Sequence, residues 1–283
     1  MKDLLSFIIA MIIFGSIGIL RRFSPLSSAV IAFFRGVLGS LFLLIIVKLT
    51  HRHIARPDSK TIIKLALSGA FLGINWLFLF EAYNFTSVPA ATLFCYTNPA
   101  IVIILSAVFL NEKLTAKKLL CLFLSLTGMV LISGILESGL PSHKDIKGIL
   151  CALGSASLYA SVIIMNKRVN NVEIYAKTII QLSASALVML PYIIFTGEFA
   201  SGEFSITSLA LLIYTGIVNT GIAYALYFGS MRGLSAGTIA FFSYIDPVTA
   251  LILSSLILSE SLTFTGLAGA LLILASSIIS ERS

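Results

Sequence analysis

Two charged residues, two prolines and a group of aromatic rings with polar tips are the parts of this chain whose chemistry and spacing stand out. Arg35 and Asp246 each lie within a long apolar run, where a charge costs on the order of 2.5–3.5 kcal/mol to bury in a bilayer. Neither should face lipid. Three arrangements satisfy them: a mutual ion pair, a water-filled cavity in which Arg35 meets an anionic group, or an Asp246 that takes up and releases a proton. The last follows because a desolvated carboxyl group exchanges protons nearer neutrality.

Pro99 and Pro247 follow Asn98 and Asp246 directly. Counting along a helix puts both pairs roughly 15 Å into their segments, close to a bilayer midplane. A proline has no N–H and clashes with the carbonyl four residues earlier, so the carbonyls of Cys95 and Ser243 lose their helical partners. They become available to water, a side chain or a ligand. The alternative is a pair of kinks that only improve packing.

The rings are Trp76, Tyr83, Tyr96, Tyr159, Tyr224, Tyr227 and Tyr244. Tyr83 is two helical turns beyond Trp76 on the same face. Aromatic faces bind apolar or cationic groups and their hydroxyl or indole N–H tips orient polar ones, which suits an amphipathic small molecule. Each ring also has a plainer reading as packing or an interfacial belt. Glu81 is placed nearer a segment end, in an interfacial role. Glu112 and Glu260, each followed two residues later by Leu and then Thr, are expected to cap a short loop and the N-terminus of the following helix.

These residues are positioned by a repeat. Tyr96, Pro99, Glu112, Leu114 and Thr115 recur as Tyr244, Pro247, Glu260, Leu262 and Thr263, a shift of 247 − 99 = 148. The same shift relates Trp76 to Tyr224 and Gly73 to Gly221. Composition sets the class: 58% hydrophobic and 11% charged residues, with a mean hydropathy of +1.04, describe a polytopic membrane protein. Ten apolar windows are expected to span as helices, approximately 4–20, 26–47, 61–83, 88–110, 117–136, 147–166, 174–196, 206–228, 235–258 and 263–280. A membrane barrel would need polar and apolar residues to alternate.

The fold expected is therefore all-α, with ten transmembrane helices in two five-helix repeats, 1–136 and 147–283, joined by a connector at 137–146 that holds Gly139, Pro141 and Ser142. An odd number of spans per repeat makes the second copy enter from the opposite side, so the repeats are inverted. With the N-terminus inside, Lys2, Lys48, Arg52, Arg56, Lys60, Lys64, Lys113, Lys117, Lys118, Lys167, Arg168, Lys177, Arg232 and Arg282 fall on the cytoplasmic face. Only Arg21, Arg22, Lys144 and Lys147 fall outside. This positive-inside bias places both termini in the cytoplasm and explains the net charge of +7 without nucleic-acid binding.

Other classes find little support. Cys95, Cys121 and Cys151 lie in different spans without metal-ligand spacing and read as small buried hydrophobes. His51, His53 and His143 fall in loops. No cluster of ligating or nucleophilic side chains points to an enzyme, a metal or a cofactor, and no loop is long enough for a catalytic lobe. The first span, followed by Arg21 and Arg22, lacks a cleavage signature and reads as retained. Gly69 with Gly73, and Gly266 with Ala270, have the spacing for close helix contact within the bundle or across a homodimer.

The segment EAYNFTSVPAATLFCYTNPAIVIILSAVFLNEKLT, from Glu81 to Thr115, and its echo GSMRGLSAGTIAFFSYIDPVTALILSSLILSESLT, from Gly229 to Thr263, resemble the paired signature of EamA-type families in the drug/metabolite transporter superfamily. Arg35 within FFRGVLGSLFLL fits the same pattern, although the shift places Ser183 opposite it. The resemblance implies a secondary transporter of the cell membrane that exports small metabolites such as amino acids or amphipathic amines through a cavity shared by both bundles. The candidate substrate-contacting residues are Arg35, Trp76, Tyr83, Tyr96, Asn98, Tyr159, Tyr224, Tyr244 and Asp246, with Asp246 also the candidate for proton coupling. A multidrug exporter, a small-molecule importer and a passive channel are the competing readings.

Overall fold

A computed structural model describes residues 2–17, 20, 23–51, 54–138, 143–169, 172–199, 204–258 and 263–281. Glu260 and Leu262, the basic residues Arg21, Arg22, Arg52 and Arg282, His53, and Gly139, Pro141 and Ser142 of the connector lie outside them. The described residues are helical and contain no strand. In chain order the helices are α1 (Lys2–Gly15), α2 (Ser28–Leu49), α3 (Ser59–Phe85), α4 (Val88–Cys95), α5 (Asn98–Phe109), α6 (Ala116–Ile132) and the single turn α7 (Ile135–Ser138). There follow α8 (Ile146–Arg168), α9 (Ile174–Thr196), α10 (Ile206–Gly216), a π-helical turn (Ile217–Ile222), α11 (Ala223–Ser230), α12 (Ala236–Phe242), α13 (Ile245–Leu258) and α14 (Phe264–Glu281).

Seven segments among the described residues are long and apolar enough to cross a membrane: Ser28–Leu49, Ser59–Phe85, Ala90–Phe109, Ile146–Arg168, Ile174–Thr196, Ile206–Ser230 and Ala236–Ile257. Ten windows were expected, and the other three, α1, α6 and α14, form shorter helices. The apolar part of α14 is Phe264–Ser280. Two of the seven are interrupted near their prolines, between α4 and α5 and between α12 and α13.

Helix starts follow from local side chains. Ser27, Thr115, Ser205 and Ser235 each accept a hydrogen bond from the backbone N–H three residues on, a cap contributing about 1 kcal/mol. Asp58 does the same for α3, accepting from the Thr61 N–H at 3.2 Å. The bonds it receives from Thr61 hold its carboxyl group below the usual carboxylate range. The Glu173 carboxylate caps α9 through the N–H groups of Tyr175 and Ala176 at 2.8 and 3.2 Å.

The outer surface is apolar, and polar side chains are gathered inside among a hydrophobic core. Phe195 and Ile206 are 89% and 88% exposed, and Leu256, Phe123 and Leu187 also point outward, an arrangement that hydrocarbon stabilises and water does not. Inside, Arg35, Asn75, Asn98, Asn166, Lys177 and Gln181 are buried. A polar knot ties α3, α8 and α9 together: Ser68 donates to Gln181 Oε1 at 2.8 Å, while Asn166 and Gln181 exchange amide hydrogen bonds at 2.9 and 3.1 Å. Left unsatisfied in hydrocarbon, each such group would cost several kcal/mol. Close packing reinforces the knot, because a Cβ at Gly69 or Gly73 would lie 2.3 Å from the Gln181 carbonyl oxygen or 2.6 Å from that of Ser185. These two glycines therefore serve contact with α9 inside the bundle and not a surface between protomers.

Candidate functional site

A cavity of about 370 Å³ begins at the middle of the helices and extends to the end where α1 finishes and α2 starts. Its deep part is built by Met11, Phe14 and Gly15 of α1, Arg35 of α2, Asn75 and Trp76 of α3, Tyr159 of α8 and Tyr224 of α11. Tyr96, Asn98, Ser243 and Asp246 add the two interrupted segments. Ile17, Leu20, Ser28 and Tyr83 line the way out. On the other side of Tyr159 the core is solid. Phe7, Tyr227, Phe228, Met231, Ile239 and Phe241 there are 0–1% exposed.

Eight of the nine candidate contact residues come together on this one surface: Arg35, Trp76, Tyr83, Tyr96, Asn98, Tyr159, Tyr224 and Asp246. Tyr244 does not. It is fully buried behind the wall, and its hydroxyl donates to the Tyr96 carbonyl oxygen at 3.1 Å. A ring near the break was expected to face the solute, but the turn preceding α13 directs it into the packing between α6 and α14, against Met129, Val248 and Ile273.

The freed carbonyls are recaptured locally. Asn98 donates its side-chain Nδ2 to the Cys95 carbonyl at 3.3 Å, and the backbone N–H of Asp246 donates to the Ser243 carbonyl at 3.3 Å. These carbonyls are therefore spoken for, and the polar atoms left over are on side chains. Asn98 Oδ1 is buried with no hydrogen-bond partner. Tyr96 and Asp246 both line the cavity next to these breaks.

Arg35 and Asp246 share the cavity without forming an ion pair. Among the described residues the salt bridge within 4.0 Å is Lys118 to Glu112, at 3.3 Å. Arg35 instead donates Nε to Thr220 Oγ1 at 2.9 Å, with its guanidinium carbon 5.3 Å from the Trp76 ring centroid. The rings form one connected wall: Tyr224 lies edge-on to Trp76 at 6.2 Å and to Tyr227 at 6.1 Å, Phe14 touches both tyrosines, and Tyr227 stacks on Tyr159 at 6.2 Å.

Glu112 caps a helix, but not the one that follows it. Thr115 caps α6, and the Glu112 carboxylate accepts from the N–H groups of Ala236 and Gly237 at 2.7 and 3.3 Å, at the start of α12. The reason is spatial. The end of α5 lies beside α12, so the nearest unsatisfied N–H groups belong to the other half of the chain. Glu81 accepts from the Tyr192 hydroxyl at 2.5 Å and does not line the cavity.

The sequence reading missed Asn75 and Thr220. Asn75 donates to the Ser155 carbonyl and hydroxyl at 2.8 and 2.7 Å, fastening α3 to α8 at the cavity wall. An asparagine inside an apolar run beside the only tryptophan was a signal that could have found it. Nothing in the sequence marks Thr220, because its role depends on a local change of helix type.

A bundle that is apolar outside, with a cavity of aromatic, cationic and acidic side chains between its two halves, is a polytopic helical membrane protein with a solute-sized internal site. The sequence matches the EamA-like transporter family over residues 1–134 and again over 146–281, and the chain belongs to that family, within the drug/metabolite transporter superfamily. It is 32% identical to the uncharacterized transporter YxxF of Bacillus subtilis (strain 168) over 88% of this chain and 79% of that one. It is 26% identical to the uncharacterized transporter YvbV of the same organism over 89% and 84%. Protein RarD of Salmonella typhi is 28% identical over 69% of this chain and 64% of its own. A solved crystal structure at 17% identity superposes with a TM-score of 0.85 over 99% of this chain and 96% of the other, a likeness of fold.

Proposed function

We propose that this chain is a secondary active transporter of the cell membrane that exports small metabolites, amino acids or amphipathic amines, by alternating access. The observation that carries this reading is the cavity between the two halves. It holds a guanidinium and a carboxyl group apart from each other among aromatic rings. Opposite charges that do not neutralise one another suit a solute bearing both signs or a polar head on an apolar body.

In this reading each interrupted pair of helices, and the α10–π–α11 run, counts as one span. The chain then has ten spans in two inverted repeats, 1–136 and 147–283, with both termini cytoplasmic. The cavity opens outward and the packed layer around Tyr227 closes the cytoplasmic side. Transport, and not catalysis, is the activity proposed.

Counterflow in proteoliposomes tests it, using a panel of amino acids, amines and dyes. Saturable accumulation of labelled solute against a preloaded unlabelled pool is expected for at least one amino acid or amine. Flux that neither saturates nor shows counterflow would make the protein a channel. Counterflow confined to the dyes would make it a multidrug exporter.

A further inference from the structure

The cavity wall departs from the internal repeat at one point. Over Ile217–Ile222 the chain winds as a π-helix, whereas the repeat-related stretch 69–74 lies inside the regular helix α3. Such wide turns recur at functional sites because they redirect a side chain without breaking the helix. Here the redirected side chain is Thr220. Its hydroxyl donates to the Thr215 carbonyl five residues back at 2.9 Å, and its oxygen accepts from Arg35 Nε at 2.9 Å. With its proton committed to Thr215, Thr220 can act toward Arg35 only as an acceptor.

The approach of α2 makes this bond possible. Gly39, one turn along from Arg35, passes directly against the π-turn, and a Cβ there would lie 3.0 Å from Thr220 Cγ2 and 3.1 Å from the Gly216 carbonyl oxygen. Trp76 supplies the second constraint by presenting its ring to the guanidinium at 5.3 Å. Both members of the Arg35–Thr220 pair are one-sided in the sequence, since the 148-residue shift places Ser183 opposite Arg35 and Leu72 opposite Thr220. The arrangement therefore does not belong to the symmetric scaffold that the two halves share.

A guanidinium has five N–H donors in a fixed fork. Thr220 engages Nε, and among the described residues no other hydrogen bond or salt bridge engages the group. The terminal nitrogens of a buried side chain that lines the cavity are thus left to a solute. Fixing Nε and the ring plane fixes the direction of the remaining fork, whose two parallel donors match the two oxygens of a carboxylate.

We propose that Arg35 anchors a carboxylate of the solute, and that Thr220, set by the π-turn, is the positioning residue that aims the anchor. The inference rests on the transporter reading and narrows it. Carboxylate-bearing solutes are held by this fork, and amines without a carboxylate lack the anchor.

Trp76 provides the readout, because it is the only tryptophan in the sequence and lies under Arg35 in the cavity. Its emission is followed in detergent-solubilised full-length protein, with excitation that phenyl rings do not absorb. The protein is titrated separately with L-phenylalanine, hydrocinnamate and phenethylamine, which carry both charges, the carboxylate alone and the amine alone. L-phenylalanine and hydrocinnamate should bind more tightly than phenethylamine. Thr220→Val should weaken the two carboxylates about tenfold, the effect of one hydrogen bond to a charged group, and leave phenethylamine unchanged. Thr220→Ser, which keeps the acceptor, should restore them.

Equal weakening of all three probes by Thr220→Val would make Thr220 a packing residue and overturn the inference. Binding of phenethylamine in preference to both carboxylates would overturn it as well, and would leave the transporter reading intact. If none of the three changes Trp76 emission the anchor is refuted, and the counterflow panel decides separately whether the transporter reading stands.

Discussion

The hydroxyl of Tyr244 donates to the backbone carbonyl of Tyr96 at 3.1 Å, and these two residues occupy the same place in the two copies of the repeat, 148 positions apart. The bond ties the two interrupted segments to each other, yet the rings have different surroundings. Tyr96 lines the cavity, while Tyr244 is sealed between α6 and α14. Tyr244→Phe should lower stability by about 0.5–1.5 kcal/mol, the net value of one hydrogen bond, and change the affinity of a verified solute by less than about twofold. Tyr96→Phe should alter affinity with little change in stability. Urea unfolding in detergent and Trp76 fluorescence separate the two effects, and a larger affinity loss for Tyr244→Phe would place it in the site after all.

At the far end from the cavity mouth, the two halves are laced together by side chains. Glu112 holds the start of α12 and Arg168 donates to the Phe109 carbonyl at 2.8 Å, both across the halves, while Lys167 braces the same end within the second half by donating to the carbonyls of Met231 and Leu234. If this end faces the cytoplasm, as proposed, and opens during the transport cycle, the bonds between the halves must break. Glu112→Ala removes the acceptor for Ala236 and Gly237 and the partner of Lys118 at once. A cysteine replacing the buried Leu234, in a background without the three native cysteines, should then react several-fold faster with a membrane-impermeant thiol reagent applied from the cytoplasmic side. Glu112→Gln retains an acceptor oxygen and should give a smaller increase. Unchanged labelling in both would show that this end opens without Glu112 as a restraint.

Orientation has a direct test. Arg56 and His143 are exposed at positions that the basic-residue asymmetry places on opposite sides of the membrane. Single cysteines there should be labelled from the cytoplasm only at 56 and from outside only at 143. Labelling of both from one face would exclude inverted repeats, since the three spans expected between these positions, 61–83, 88–110 and 117–136, must put them on opposite sides.

Much of the helical layout and most of the cavity were legible because they follow from residue type. Intramembrane Arg35 and Asp246 had to avoid lipid, and prolines 99 and 247 had to interrupt their helices; one surface satisfies all of these demands. What was not legible depended on which elements become neighbours. Glu112 had a helix N-terminus to cap in any case, but only packing shows that it belongs to α12 and not α6. Tyr244 and Tyr96 have similar sequence surroundings, each between a phenylalanine two residues before and a proline three residues after, and part company through the helices beside them. Thr220 is one of many threonines, and its value comes from a π-turn that no residue in IVNTGI announces.

Asp246 carries the remaining prediction, which concerns energy coupling. It lines the cavity together with Tyr96, and among the described residues no Lys or Arg side chain pairs with it within 4.0 Å. If transport is driven by a proton gradient, this is the carboxyl group placed to alternate between its charged and neutral forms as the site changes sides. Asp246→Asn should then abolish accumulation driven by a pH gradient while leaving exchange between equal pools, because exchange requires the cavity to reorient but no net movement of protons. Arg35 sharpens the test. Since Thr220 and Trp76 hold the guanidinium and Asp246 does not, removing the carboxylate does not strand a buried partner, and the variant should fold and still exchange at saturating solute, with any loss of solute contact appearing as a weaker affinity. Retained gradient-driven accumulation would rule Asp246 out as the proton carrier. Loss of exchange together with loss of folded protein would mean that the carboxylate is needed for the structure, through an interaction with Arg35 formed in another state of the cycle.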